Sequence, residues 1–209
     1  MKMSSRYVFC IVMMLFVVTG CASTKLVSSW TQEGFSGPAL KKVLVLAVAK
    51  EDLQRRLYED SFVEKLKASG VDAVASYTLV ANLDGGKELN KQRIQQAVKS
   101  SAADSVLIAT LVGVEKNEQY VAAPPIYIPQ RGGAYGMYGY YGRSYEMIYH
   151  PGYTIESTTV KLNTTVFRTE TEEMLWAGDT RSYNPTSVRT IIEDNIKVIS
   201  AAMKKDGLI

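Results

Sequence analysis

Three strand-length segments decide what this chain folds into. KVLVLAVA (42–49) and DSVLIATLVGVE (104–115) are near-continuous apolar runs, and VDAVASY (71–77) is a shorter one between them. Runs without polar alternation suit strands covered on both faces, as in parallel sheets. Between the first two lies 52–67, with Leu53, Leu57, Phe62 and Leu66 near helical spacing and Ser69-Gly70 as its stop. Between the last two, after a loop with Asp84-Gly85-Gly86, a helix is expected over 90–102 with Ile94, Ala97 and Val98 inward. Strand–helix–strand–helix–strand argues a parallel sheet joined by right-handed crossovers.

The C-terminal half follows another rule. Segment 153–169 alternates cleanly: Val160, Leu162, Thr164 and Val166 share one face, and Thr159, Lys161, Asn163 and Thr165 the other. A second run, 174–183, follows the turn Glu170-Thr171-Glu172-Glu173, so an antiparallel hairpin is expected. Its register stays open, because a slip of one residue sends Trp176 to the opposite face. Val188, Ile191, Ile192, Ile196, Ile199 and Met203 line one side of a last helix that Gly207 ends. The expected fold is one α/β domain: a mixed sheet of three parallel strands plus an antiparallel hairpin, covered by three helices.

The chain begins with basic Lys2 and Arg6, then an apolar run of about 12 residues, too short for a bilayer span of about 20. Val18-Thr19-Gly20-Cys21 comes next and resembles the bacterial lipobox, in which cleavage between Gly20 and Cys21 leaves a cysteine that receives a diacylglycerol group. Segment 1–20 is therefore expected to be a lipoprotein signal, 21–29 a lipidated N-terminus and tether, and 30–209 the domain, with 26–30 as a short edge strand. Cys10 leaves with the signal and Cys21 is blocked by lipid, so neither disulfide nor cysteine metal ligand is expected. The formal net charge of the whole chain is +3, and Lys2 and Arg6 are lost with the signal. The remainder is nearly neutral, which argues against nucleic acid as a partner. Two acyl chains hold a protein stably in a bilayer. Residue 22 is Ala rather than Asp, which by resemblance to Gram-negative lipoproteins implies the outer membrane.

Chemistry is sparse. His150, the only histidine, precedes Pro151 in a tyrosine-rich stretch, where no carboxylate is placed to orient it as a base. Glu170, Glu172 and Glu173 sit at a turn and lack the spacing of a calcium loop. Glu59-Asp60 and Glu193-Asp194 are helix neighbours about 100° apart and read as solvated surface. Asp179 and Arg181 share a strand face and suit an ion pair. Gly85-Gly86-Lys87 is followed by Glu88, where a phosphate loop needs a hydroxyl. No catalytic residue, metal site or cofactor is expected.

What remains is the segment 118–152, expected to be a long Tyr/Gly/Pro-rich loop. Nine of the 13 tyrosines lie between Tyr120 and Tyr153. Tyr135, Tyr138, Tyr140, Tyr141, Tyr145 and Tyr149 alternate with glycines, and Arg131 and Arg143 add donors for phosphate or carboxylate. Tyrosine combines a flat apolar ring, a polar tip and few torsions, the composition of adaptable binding loops. Three readings stand: a binding loop for an envelope protein or a cell-wall glycan, a slack connection, and a membrane-interface contact.

Trp30 with Gly34 and Gly37, KKVLVLAV, SGVDAVASY, SAADSVLIATLVGVEK, the Tyr/Gly segment and LWAG before a last helix, in that order, resemble a family of small bacterial outer-membrane lipoproteins. That resemblance carries no activity with it. In element order the chain also looks like the lipoprotein activators of penicillin-binding proteins, the curli secretion channel subunit and the N-terminal domain of the Tol propeller protein. These imply a non-catalytic binding or assembly module, with an oligomeric secretion or pore-associated subunit as the alternative and an enzyme as a third class. An activator must reach inward through the cell wall, which a tether of a few residues does not allow.

Overall fold

A computed structural model describes residues 24–35, 40–79, 91–122, 136–149 and 152–209. Its elements are β1 (Thr24–Thr31), β2 (Lys42–Val48), α1 (Asp52–Ala68), β3 (Asp72–Ala75), α2 (Lys91–Ser101), β4 (Ser105–Val121), α3 (Gly136–Tyr149), β5 (Tyr153–Arg168), β6 (Met174–Tyr183) and α4 (Val188–Lys205). They form a mixed α/β fold on a six-stranded sheet of order β1-β6-β5-β4-β2-β3. β2 pairs parallel with both β3 and β4, and β4, β5, β6 and β1 then pair antiparallel in turn.

β2 earns its apolar run by being covered twice. Val43, Val45 and Ala47 join the main core with Tyr58, Phe62 and Leu66 of α1 and Ile192, Ile196, Ile199 and Met203 of α4. Leu44 faces the other way, toward Ala97 of α2 and Val106 of β4. Thr164, Val160 and Val166 of β5 are buried, as the alternation predicts. Ser187 caps α4, its hydroxyl accepting from the Thr190 amide at 3.1 Å.

The hairpin register, open in the sequence, is settled by Trp176, which pairs opposite Val166 and is wholly buried. Its indole N–H donates to Asp206 Oδ2 at 2.8 Å, tying β6 to the end of α4. The ring lies across Gly178: a Cβ there would fall 2.3 Å from the indole. Gly178→Ala is therefore expected to cost about 1–3 kcal/mol through overpacking, read as a lower urea midpoint with an unchanged slope.

Several boundaries differ from the sequence expectation. The described residues contain four helices rather than three, the extra one being α3 within 118–152. β4 runs six residues past Glu115, and 71–77 divides into β3 and a 3-10 turn at Ser76–Thr78. β1 begins at Thr24, so most of the 21–29 segment read as a tether is strand. Leu53, expected inward, is 67% exposed, because α1 buries a stripe through Arg55, Tyr58, Glu59, Phe62 and Leu66. Apolar periodicity alone misses a stripe in which two members are charged.

Candidate functional site

The first cluster of chemical interest is buried. Arg55 and Glu59 lie one turn apart on α1, both fully enclosed, with Arg55 Nε donating to Glu59 Oε1 at 2.9 Å. That carboxylate also accepts from the Ala47 amide at 3.0 Å, the Ser76 hydroxyl at 2.9 Å and the Tyr77 amide at 2.9 Å. Arg55 Nη2 donates to the same Ser76 hydroxyl at 2.7 Å. A carboxylate that is fully buried and already accepts from four donors is closed to a substrate, so the cluster fastens α1 to the ends of β2 and β3. Reading Glu59-Asp60 as solvated surface holds for Asp60, which accepts from Tyr77 at 2.8 Å, and fails for Glu59. The signal that was available is Arg55 four residues before Glu59, an i,i+4 pair.

The second feature is a ribbon. β2 stops pairing with β4 at Thr110, and β6 stops pairing with β5 at Thr159. β4 and β5 continue as a pair to Val121 opposite Tyr153. Six residue pairs, Lys116–Val121 against Tyr153–Thr158, therefore stand beyond the sheet, about 20 Å at strand rise. A bulge between Leu111 and Gly113 turns the strand where β2 ends, leaving Leu111, Val112 and Val114 exposed along an edge with no strand partner among the described residues. Lys161 donates to Glu115 on the opposite face and holds its carboxyl below the usual range. Further out Glu118 lies directly opposite Glu156, a like-charge pair that weakens an isolated ribbon.

At the far end Gly152 meets the Tyr120 hydroxyl and the Val121 carbonyl at distances that leave no room for a Cβ. Only three residue steps separate Gly152 from Tyr149, the last residue of α3, so the chain holds that helix end within about 11 Å of the ribbon tip. Tyr138, Tyr140, Tyr141 and Tyr145 are all exposed on α3, with the Tyr141 and Tyr145 rings 6.2 Å apart. An i,i+4 aromatic pair favours helix over loop, and the stretch 130–150 holds no proline. Those two signals identify the helix that glycine content concealed.

No protein-family model matches the chain. No curated protein matches it either. Similar solved structures include the PelC dodecamer from Paraburkholderia phytofirmans, at 13% identity over 85% of this chain and 96% of that chain, with a TM-score of 0.44. Lipoprotein GNA1162 from Neisseria meningitidis is 12% identical over 79% of this chain and 99% of that one, with a TM-score of 0.42. Similarity at this level leaves the reading of the site to its own residues.

Of the residues singled out in sequence, Tyr138, Tyr140, Tyr141 and Tyr145 are brought together on α3, and Arg143 and Tyr149 lie on the same helix. Gly20, Cys21, Arg131, Tyr135 and His150 lie outside the described residues. Asp179 accepts from Ser28 at 2.9 Å and Asn163 at 2.8 Å, in place of the ion pair expected with Arg181. Among the described residues no group of three or more His, Cys, Asp or Glu side chains could hold a metal ion. No described helix is long and apolar enough to cross a membrane.

Proposed function

We propose that the chain is an envelope lipoprotein, held to the membrane through acylated Cys21, that works as a non-catalytic assembly module. The ribbon carries this reading. Beyond Thr158, which still bonds Asn184, neither outer edge of the two strands has a strand partner among the described residues; two lone strands are marginal on their own, and here they carry opposed carboxylates besides. Such an arm is stabilised by contact with something outside the chain. The free edge of β4 at Leu111, Val112 and Val114 offers backbone groups and apolar side chains together, the requirements for strand addition by a protein partner.

Photoreactive side chains at Val27 and Val112 in intact cells test it, with Glu170, on the turn at the far end of the sheet, as control. A discrete protein adduct from Val27 or Val112 and none from Glu170 is the expected result; an absence of adducts at both edges overturns the reading. Mass spectrometry of the N-terminal peptide tests the anchor. Diacylated Cys21 is expected, and a retained Met1 rules it out.

A second reading has its own support. β1 exposes Leu26, Val27 and Trp30 on the sheet edge opposite the free edge of β4. Unlike edges that join head to tail generate rings or filaments, which suits an oligomeric structural subunit. Adducts joining position 27 of one copy to position 112 of another distinguish this case from a different partner.

A further inference from the structure

We propose that α3 and the ribbon tip lie in the headgroup–acyl interface of the same bilayer that anchors the chain; this rests on the acylation of Cys21. The topology puts anchor and arm at one end of the sheet. Thr24, the first residue of β1, pairs with Ser182, which pairs with Val160, which pairs with Val114. β1 runs antiparallel to β6, β6 to β5 and β5 to β4, so β1 leads back toward its N-terminus in the direction the ribbon projects. Three residue steps from Cys21 to Thr24 span at most about 11 Å. From Val114 to Val121 the ribbon extends seven residue steps, about 23 Å. With the strands upright on the bilayer, an acyl anchor on so short a tether brings the ribbon tip into the membrane surface.

The chemistry changes along the arm as this placement demands. Glu115, Lys116, Glu118, Glu156 and Lys161 form a charged band near its base and middle. Between Glu118 and Glu156 the sequence carries only Arg131, Arg143 and Glu146 as charges. The ribbon's last three pairs are uncharged, a depth of about 10 Å, which matches the 5–10 Å to which interfacial helices bury their apolar faces. Tyr120 and Tyr153 end the ribbon, and Met137, Tyr138 and Tyr141 stand out from α3 at 73%, 84% and 68% exposure. Rings with a polar tip concentrate at the level of lipid headgroups. A tip built to bind a soluble partner has no need to share its end of the molecule with the lipid anchor.

The test uses full-length acylated protein in vesicles of phosphatidylethanolamine and phosphatidylglycerol. Cys10 is lost with the signal and the Cys21 sulfur is blocked, so a single introduced thiol takes an environment-sensitive fluorophore. Labels at Tyr138→Cys and, separately, Tyr141→Cys are expected to be quenched at least twofold by lipids brominated near the ester, and a label at Glu170→Cys is not. Protein that floats with the vesicles while both tip labels go unquenched overturns the inference and leaves the anchor standing. Protein that fails to float removes the acylation reading and the inference with it. Blue-shifted tip labels that brominated lipid does not quench indicate a protein cover and also overturn it, as does equal quenching at position 170.

Discussion

Glu59→Ala is expected to lower the unfolding free energy by about 3–5 kcal/mol, the usual cost of stranding one member of a buried ion pair. The Arg55 guanidinium would then lie fully enclosed with no carboxylate beside it, and the Ala47 and Tyr77 amides would lose their acceptor. At about 2–4 °C per kcal/mol for a domain of this size, the melting temperature falls by roughly 10 °C. Arg55→Met combined with Glu59→Leu is expected to recover at least half of that loss, because apolar replacements of similar volume remove the stranded charge. Thermal and urea unfolding of the unaltered protein, Arg55→Met, Glu59→Leu and the Arg55→Met/Glu59→Leu double variant read the coupling directly. If the double variant recovers nothing, the hydrogen bonds to the strand ends, rather than the charge pair, carry the stability.

Trp176→Ala is expected to cost a similar 3–5 kcal/mol, as for other large-to-small changes in a core. Trp176 is the largest of the fully buried side chains and anchors the sheet to the end of α4 through Asp206. The same substitution empties the space over Gly178. Gly178→Ala, costly alone, is therefore expected to add no further loss in the Trp176→Ala background. Additive losses in that double variant would show that Gly178 is required by its backbone rather than by the indole lying across it.

Much of this architecture is legible in local sequence. The run at 42–48 reads as doubly covered because it has no polar alternation, and the structure covers it with α1 and α4 on one face and α2 on the other. The hairpin reads from the period-two pattern around Val160–Val166, and the last helix from Ile192, Ile196, Ile199 and Met203. Glu59 escapes such a reading because a charge on a helix resembles surface until its partners are known, and those partners are at Ala47, Ser76 and Tyr77. The helix α3 escapes because glycine and tyrosine are weak helix formers, and the signal sits in a side-chain pair rather than in composition.

The sequence alone determined the order and type of most elements, the two-sided cover of β2 and the face that β5 turns inward, because each follows from residues a few positions apart. Only the tertiary structure decided which way Trp176 points, that Arg55 and Glu59 are enclosed, how far β4 and β5 outrun their neighbours, and that Thr24 enters the sheet at the ribbon's end. Those outcomes depend on the register between strands distant in the chain, and periodicity within one strand shows which face turns inward but not which residue of another strand lies opposite.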